Sequence, residues 1–252
     1  MQFPQTIESD PQKVLTTVQI LPWATLLALF AAPVRADTWF VGPPMPTAGR
    51  DLAAAIGRDG GIYALGGLSF AALPTVESYD SSIDTWSAVE SMLIARAGLA
   101  ATTDLQGGIY ALGGSSSGGT ILRTLEVYGP IFANWSNAPP IDVGREGLAA
   151  TKGLDGKIYT LGGSAGGVAQ SIVEVYESAL GQWGSVAPMP TARRDLAAAT
   201  VVTFGVVRIF AIGGHGLVFP LTTVEVYTPQ RCGNYFVVTL FFHSSHARPY
   251  SF

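Results

Sequence analysis

Ile62-Tyr63-Ala64-Leu65-Gly66-Gly67 returns as Ile109-Tyr110-Ala111-Leu112-Gly113-Gly114, as Ile158-Tyr159-Thr160-Leu161-Gly162-Gly163 and as Ile209-Phe210-Ala211-Ile212-Gly213-Gly214, at spacings of 47, 49 and 51 residues. Upstream of each copy lies an arginine followed by small apolar residues: Arg50 before Leu52-Ala53-Ala54, Arg96 before Leu99-Ala100-Ala101, Arg145 before Leu148-Ala149-Ala150 and Arg194 before Leu196-Ala197-Ala198. Downstream comes a Glu-x-Tyr step, at Glu77 and Tyr79, Glu126 and Tyr128, Glu174 and Tyr176, Glu225 and Tyr227. Trp86, Trp135 and Trp183 close three of the four units. Linked features recurring in register at this period are the mark of a repeat architecture.

Each unit reads as four short strands, a to d: the Leu-Ala-Ala run, the Ile-Tyr-x-Leu run, the Glu-x-Tyr run and the Trp segment. Asp59-Gly60, Gly107-Gly108 and Asp155-Gly156 fall between a and b, where a tight hairpin needs positive φ. The alanines of strand a suit a crowded centre where neighbouring sheets converge. A four-stranded sheet cannot bury both faces alone, so the Tyr and Trp side chains are expected to fill the space between adjacent sheets. The expected class is all-β, a propeller of four four-stranded blades.

The array resembles the kelch repeat, whose pattern is an Arg before a small apolar strand, Tyr-x-x-Gly-Gly, Glu-x-Tyr and a terminal Trp. The resemblance runs from residue 37 to about residue 228 and implies a β-propeller; it departs at Phe210, where Tyr is expected, and in the missing Trp of the fourth unit. Kelch relatives mostly have about six blades, and four is the lower end of the range for propellers. Asp37-Thr38-Trp39 repeats Asp84-Thr85-Trp86 and stands where a strand d would stand. If it docks on the last unit it supplies the sixteenth strand and closes four blades. The alternatives are an open arc of a larger or truncated propeller and chains that complete one another.

Composition bounds the rest. Of 252 residues 48% are hydrophobic and 13% charged, which excludes intrinsic disorder. The net charge is -4, and no run of Lys or Arg is present to follow a phosphate backbone, so nucleic acid is not an expected partner. Cys232 is the single cysteine, so neither an internal disulfide nor a thiolate zinc site can form. Val14 to Val34 is an uncharged stretch of 21 residues ending in Val34-Arg35-Ala36. This reads as a signal peptide over residues 1–36 cleaved after Ala36, hence a secreted or periplasmic protein. The alternative is an uncleaved anchor over residues 14–34, which would leave the domain extracellular and membrane-anchored. The propeller would then occupy 37–228 and a tail 229–252, whose run Tyr235 to Phe242 is apolar and β-prone and must be covered. That tail either replaces the missing strand d or is not native to the fold.

Strand direction alternates within a blade, so the b-to-c and d-to-a connections share one face of the disc. Arg50, Arg96, Arg145, Arg193 and Arg194 gather there, with the loops that differ most between units. Variable loops on a rigid scaffold are where recognition is usually placed. Phe70, Ser115, Arg123, Gln170, His215 and Phe219 are the unrepeated candidates on those loops, suited with the arginines to acidic or hydroxyl-rich partners. Repeat-wide Arg and Glu read first as structural ion pairs, because a buried Glu needs a cationic partner. Asn134-Trp135-Ser136 fits a glycosylation sequon, although Trp135 reads as a packing residue.

The expected function is a non-catalytic recognition module for a protein or carbohydrate partner. No catalytic, metal-binding or cofactor-binding residue is assigned: phosphate-loop, zinc-protease and nucleophile-elbow motifs are all missing. The resemblance brings two enzymatic classes into view. Copper oxidases of the galactose oxidase type need a Tyr cross-linked to Cys plus His ligands, which this chain does not carry inside the repeats. Sialate mutarotases need only positioned acid and base groups and stay as an alternative, with a structural cell-surface repeat protein as the third.

Overall fold

In the computed structural model the described residues are 39, 41–129, 131–204 and 206–229. The expected signal peptide or anchor, 1–36, and all but the first residue of the tail 229–252 lie outside them. The chain divides into two compact units, Met1–Gly42 and Pro43–Phe252. In the first, Trp39 and Val41 are fully exposed and belong to no strand, while Asp37 and Thr38 lie outside the described residues. The sixteenth strand expected at 37–39 is therefore not among the strands described.

The second unit is built of short antiparallel strands. Blade 1 holds β1 (Ala53–Ile56), β2 (Ile62–Leu65), β3 (Val76–Asp80) and β4 (Thr85–Val89). Blade 2 holds β5 (Ala100–Thr103), β6 (Ile109–Leu112), β7 (Leu125–Gly129) and β8 (Asn134–Ala138). Blade 3 holds β9 (Ala149–Lys152) and β10 (Ile158–Leu161), a two-residue hairpin of β11 (Ser164–Ala165) and β12 (Val168–Ala169), then β13 (Val173–Glu177) and β14 (Gln182–Ser185). Blade 4 holds β15 (Ala197–Thr203), β16 (Val206–Ile212) and β17 (Val224–Tyr227), a three-stranded sheet among the described residues. In each blade the main strands pair in chain order, β10 with β13 past the small hairpin in blade 3, and the innermost strands pack in succession, β1 on β5, β5 on β9 and β9 on β15. The four sheets thus follow one another as the blades of a β-propeller.

The side chains that repeat are the ones that make this packing. Tyr79, Tyr128 and Tyr176 stand directly opposite Trp86, Trp135 and Trp183 across the outer strand pair, with ring centroids 5.2, 5.5 and 5.0 Å apart. Each indole N–H donates to a carbonyl of the segment that leads into its own blade, at Pro43, Glu90 and Pro139. Between blades, Tyr63 meets Tyr128, Tyr110 meets Tyr176 and Tyr159 meets Tyr227, at 6.2, 6.0 and 6.1 Å. The phenols of the inner set donate to the turn aspartates, Tyr63 to Asp59, Tyr110 to Asp104 and Tyr159 to Asp155. Phe210 cannot donate, and blade 4 has no such aspartate; its a-to-b hairpin runs instead through two seven-residue strands.

The core lies between the blades. Leu65, Val76, Ile109, Ala111 and Tyr128 form one cluster across blades 1 and 2, Leu112, Leu125, Ile158 and Tyr176 the next, and Leu161, Val173, Ile209, Ala211 and Tyr227 the third. Each such aliphatic side chain contributes roughly 1.5–3 kcal/mol when fully buried. Among the described residues the facing sides of blades 4 and 1 are left open. Ile62 is 42% exposed where Ile109 is 1%, Ile212 is 41% where Leu112 is 0%, and Val224 is 53% where Val173 is 3%. Three backbone bonds between loops near the axis carry the same message: Gly98 N to Asp51 O, Gly147 N to Gly98 O and Asp195 N to Gly147 O, at 2.9, 2.8 and 2.7 Å. Among the described residues none leads from Asp195 back to Asp51. Among the described residues the ring therefore has a seam between blades 4 and 1.

Candidate interaction face

Beneath the loop face, each of blades 2 to 4 is braced by one buried ion pair. Arg96 pairs with Glu126, Arg145 with Glu174 and Arg193 with Glu225, the three guanidinium groups having no exposed surface. Each arginine does more than neutralise its glutamate. Arg96 Nη1 donates to Gly113 O and Thr124 O at 3.0 and 3.2 Å; Arg145 Nη1 donates to Gly162 O and Ile172 O at 2.7 and 3.2 Å. Arg193 repeats the pattern on Gly213 O and Thr223 O, both at 3.0 Å. The fork thus ties the end of strand b to the start of strand c, where the b-to-c loop leaves the sheet. Burial pulls the pKa of Arg96 and Arg145 down, and the partner carboxylates oppose it. These three arginines, expected among the ligand-facing residues, are committed to the blade interior.

The register of the arginines differs from the sequence reading. Arg96, Arg145 and Arg193 each stand three residues before the leucine of strand a, and in blade 1 that position is Gly49. Arg50 and Arg194 are one residue further on. Arg50 is exposed and pairs with its neighbour Asp51, and Arg194 lies 3.5 Å from Asp195. Adjacent residues of an extended chain face opposite sides, so this single step separates a buried brace from a solvent-facing cation. Counting back from Leu52 rather than forward from the arginine would have found it.

The backbone beside those positions is orderly. Arg50 pairs with Leu68, Ala97 with Ser115, Glu146 with Ser164 and Arg194 with His215 as isolated bridges. The d-to-a and b-to-c connections are thereby held side by side in all four blades, and the variable loops spring from a common rim. On them Phe70 and Phe219 are exposed, Phe70 completely. Arg123 is exposed, with its Nε donating to Ile141 O at 2.9 Å. Ser115, Gln170 and His215 are half-buried: the backbone of Ser115 bridges Ala97 and Ile121, Gln170 Nε2 donates to Val168 O, and His215 Nδ1 lies 2.9 Å from Gly216 O. Of the candidates, Phe70, Arg123, Phe219 and Arg50 are the exposed ones, one group in each of several loops. No group of three His, Cys, Asp or Glu side chains among the described residues is placed to hold a metal.

Two clefts lie on the opposite face, at the a-to-b and c-to-d turns. One of about 150 Å³ is lined by Arg58, Asp59, Tyr63 and Tyr128, and one of about 390 Å³ by Asp59, Tyr79, Asp80 and Ser82. The sequence reading did not single out this side. Its aspartates already serve the fold, Asp59 by accepting from Tyr63 and Asp80 by accepting from Ser82.

Residues 49–93 and 151–190 match the family model of the Kelch motif. These segments carry the first and third blades, and the second and fourth share their strand register. No curated protein matches the chain. The two matches support a kelch-repeat family.

Proposed function

With kelch motifs set on a four-bladed β-propeller, a fold that serves in general as a protein-interaction module, we propose that this chain is an exported, non-catalytic recognition protein. It binds a protein or carbohydrate partner through the face formed by the b-to-c and d-to-a loops. The observation that carries the reading is the contrast between the repeated arginines, buried in their blades, and the unrepeated Phe70, Arg123 and Phe219, exposed on loops above them. Exposed aromatic and arginine side chains on a rigid rim are the groups that dominate binding energy at interfaces. A protein partner engages such a surface without needing a cleft. Export rests on the uncharged stretch Val14 to Val34 and the Val34-Arg35-Ala36 that ends it.

The test is capture of partners by the wild-type chain, by Phe70→Ala with Arg123→Ala, and by Ile83→Ala on the turn face. Loss with the loop pair and retention with Ile83→Ala supports the loop face; the reverse pattern places binding on the turns. Thermal stabilisation by sialic acids alone would instead favour the carbohydrate side of the reading and the mutarotase alternative.

A further inference from the structure

Met45-Pro46-Thr47-Ala48-Gly49-Arg50-Asp51-Leu52 and Met189-Pro190-Thr191-Ala192-Arg193-Arg194-Asp195-Leu196 differ at one position, Gly49 for Arg193. Blade 1 has therefore lost the guanidinium that braces the other three. What receives it elsewhere is still there. Glu77 stands opposite Ala64 as Glu126 stands opposite Ala111, so the two carboxylates lie on the same face of their sheets. Glu77 is 7% exposed. Thr47 N donates to its Oε2 at 3.4 Å, just as Thr191 N donates to Glu225. Its Oε1 has no hydrogen-bond partner among the described residues. The carbonyls are in place too: Gly66 N donates to Thr75 O at 2.9 Å, matching Gly113 N and Thr124 O at 3.1 Å. In blade 2 the carbonyls of that second pair take both bonds of Arg96 Nη1.

We propose that Glu77 Oε1 with the carbonyls of Gly66 and Thr75 forms a receptor for a guanidinium group supplied from outside the chain. The Glu77 carboxylate is more than nine-tenths buried and holds one long backbone donor and, among the described residues, no cation, so a ligand that brings the charge supplies what the arginines supply inside the other blades. The acceptor set selects the ligand. Three acceptors arranged as they are around Arg96, Arg145 and Arg193 match a planar fork of N–H donors, which a compact ammonium cannot span. Gly49 is itself exposed, and a Cβ there would make only ordinary contact, with Leu73 Cδ1 at 3.4 Å. Gly49 lies in the d-to-a connection beside Arg50, so an arginine side chain of a bound protein can reach it as well as a free guanidinium compound. The site stands or falls independently of the loop-face reading.

The test follows thermal unfolding of the full chain in guanidinium chloride at non-denaturing concentration against sodium chloride of equal ionic strength, for wild type, Gly49→Arg and Glu77→Gln. At ten times its Kd the ion raises the wild-type midpoint by roughly 3–6 °C. Gly49→Arg has a higher midpoint without ligand and no further response, and Glu77→Gln does not respond. An equal response in Gly49→Arg, or none in wild type, overturns the proposal. Titration calorimetry with acetyl-arginine amide and its neutral citrulline analogue covers the case of a variant that does not fold and separates a side-chain source from the free ion. Heat from the arginine compound alone supports the site as a docking point for a protein's arginine; a response to guanidinium alone supports the small-ion source. Equal heats from both amides contradict the charge-based receptor.

Discussion

The carbonyl of Arg96 lies against Gly66 of the preceding blade: a Cβ built on Gly66 would stand 2.5 Å from it. Gly67 N donates to that same carbonyl at 2.9 Å. Gly113 meets Arg145 O in the same way, again at 2.5 Å, and Gly162 meets Arg193 O. The double glycine is thus the point where one blade hands its backbone to the next, and the first glycine of each pair has a positive φ besides. The arginine at the handover has two tasks, its side chain bracing its own blade and its carbonyl closing the one before.

Truncation of equivalent side chains on the two kinds of interface should differ in cost. Leu112→Ala removes a wholly buried side chain between blades 2 and 3 and should destabilise by about 2–5 kcal/mol. Ile212→Ala, at the same place in blade 4 but on the seam, should cost less than about 1 kcal/mol. Urea denaturation of both variants measures the difference, and similar losses would mean that the seam is covered.

That seam marks the limit of what the repeat pattern conveys. Tyr, Trp, Gly-Gly and Glu-x-Tyr recur because each answers to its own sheet and its immediate neighbour, so strands, turns and blade order could be read from them. Whether a neighbour exists beside blade 4 is a long-range fact, and Ile212 and Val224 look the same in sequence with or without one. The brace was legible as an Arg and Glu pairing but was placed one residue off at Arg50 and Arg194. On an extended strand one residue reverses the facing side. The exposed Phe70, Arg123 and Phe219 were legible because they break the repeat; Gly49 was not, because Arg50 beside it supplies the arginine of the motif one position on.

Breaking the brace should cost more than removing it. Arg145→Met leaves Glu174 buried without a cation and should destabilise by about 3–5 kcal/mol; Glu174→Met strands the guanidinium with a similar effect. The double variant should be less destabilised than either single one. Denaturation midpoints of the four proteins give the coupling directly, and simple additivity would show that the pair does not act as a unit.

Stability should fall at alkaline pH through the buried phenols. Burial first, and the hydrogen bond to Asp104 second, push the pKa of Tyr110 up; burial and Asp59 do the same to Tyr63. A raised folded-state pKa means that the contribution is fully present below the ordinary phenol value of about 10 and is lost as pH rises from there towards the folded value, because the unfolded chain ionises first. Tyr110→Phe should start less stable and lose less between roughly pH 9 and 11. Urea midpoints across that range check it, and parallel curves for wild type and variant would show that Tyr110 is not protected.

Neighbouring blades meet at the double glycines, and a paired alanine substitution tests that contact. Gly113→Ala places a Cβ 2.5 Å from the backbone carbonyl of Arg145, whereas Gly213→Ala, with φ +59 beside +60, meets nothing nearer than Leu221 O at 3.5 Å. The left-handed backbone costs both variants roughly 1–2 kcal/mol, and the blade contact should add enough to bring Gly113→Ala to about 3 kcal/mol or more. Equilibrium urea unfolding of the two proteins should show that gap; equal losses would contradict the handover of backbone from blade to blade.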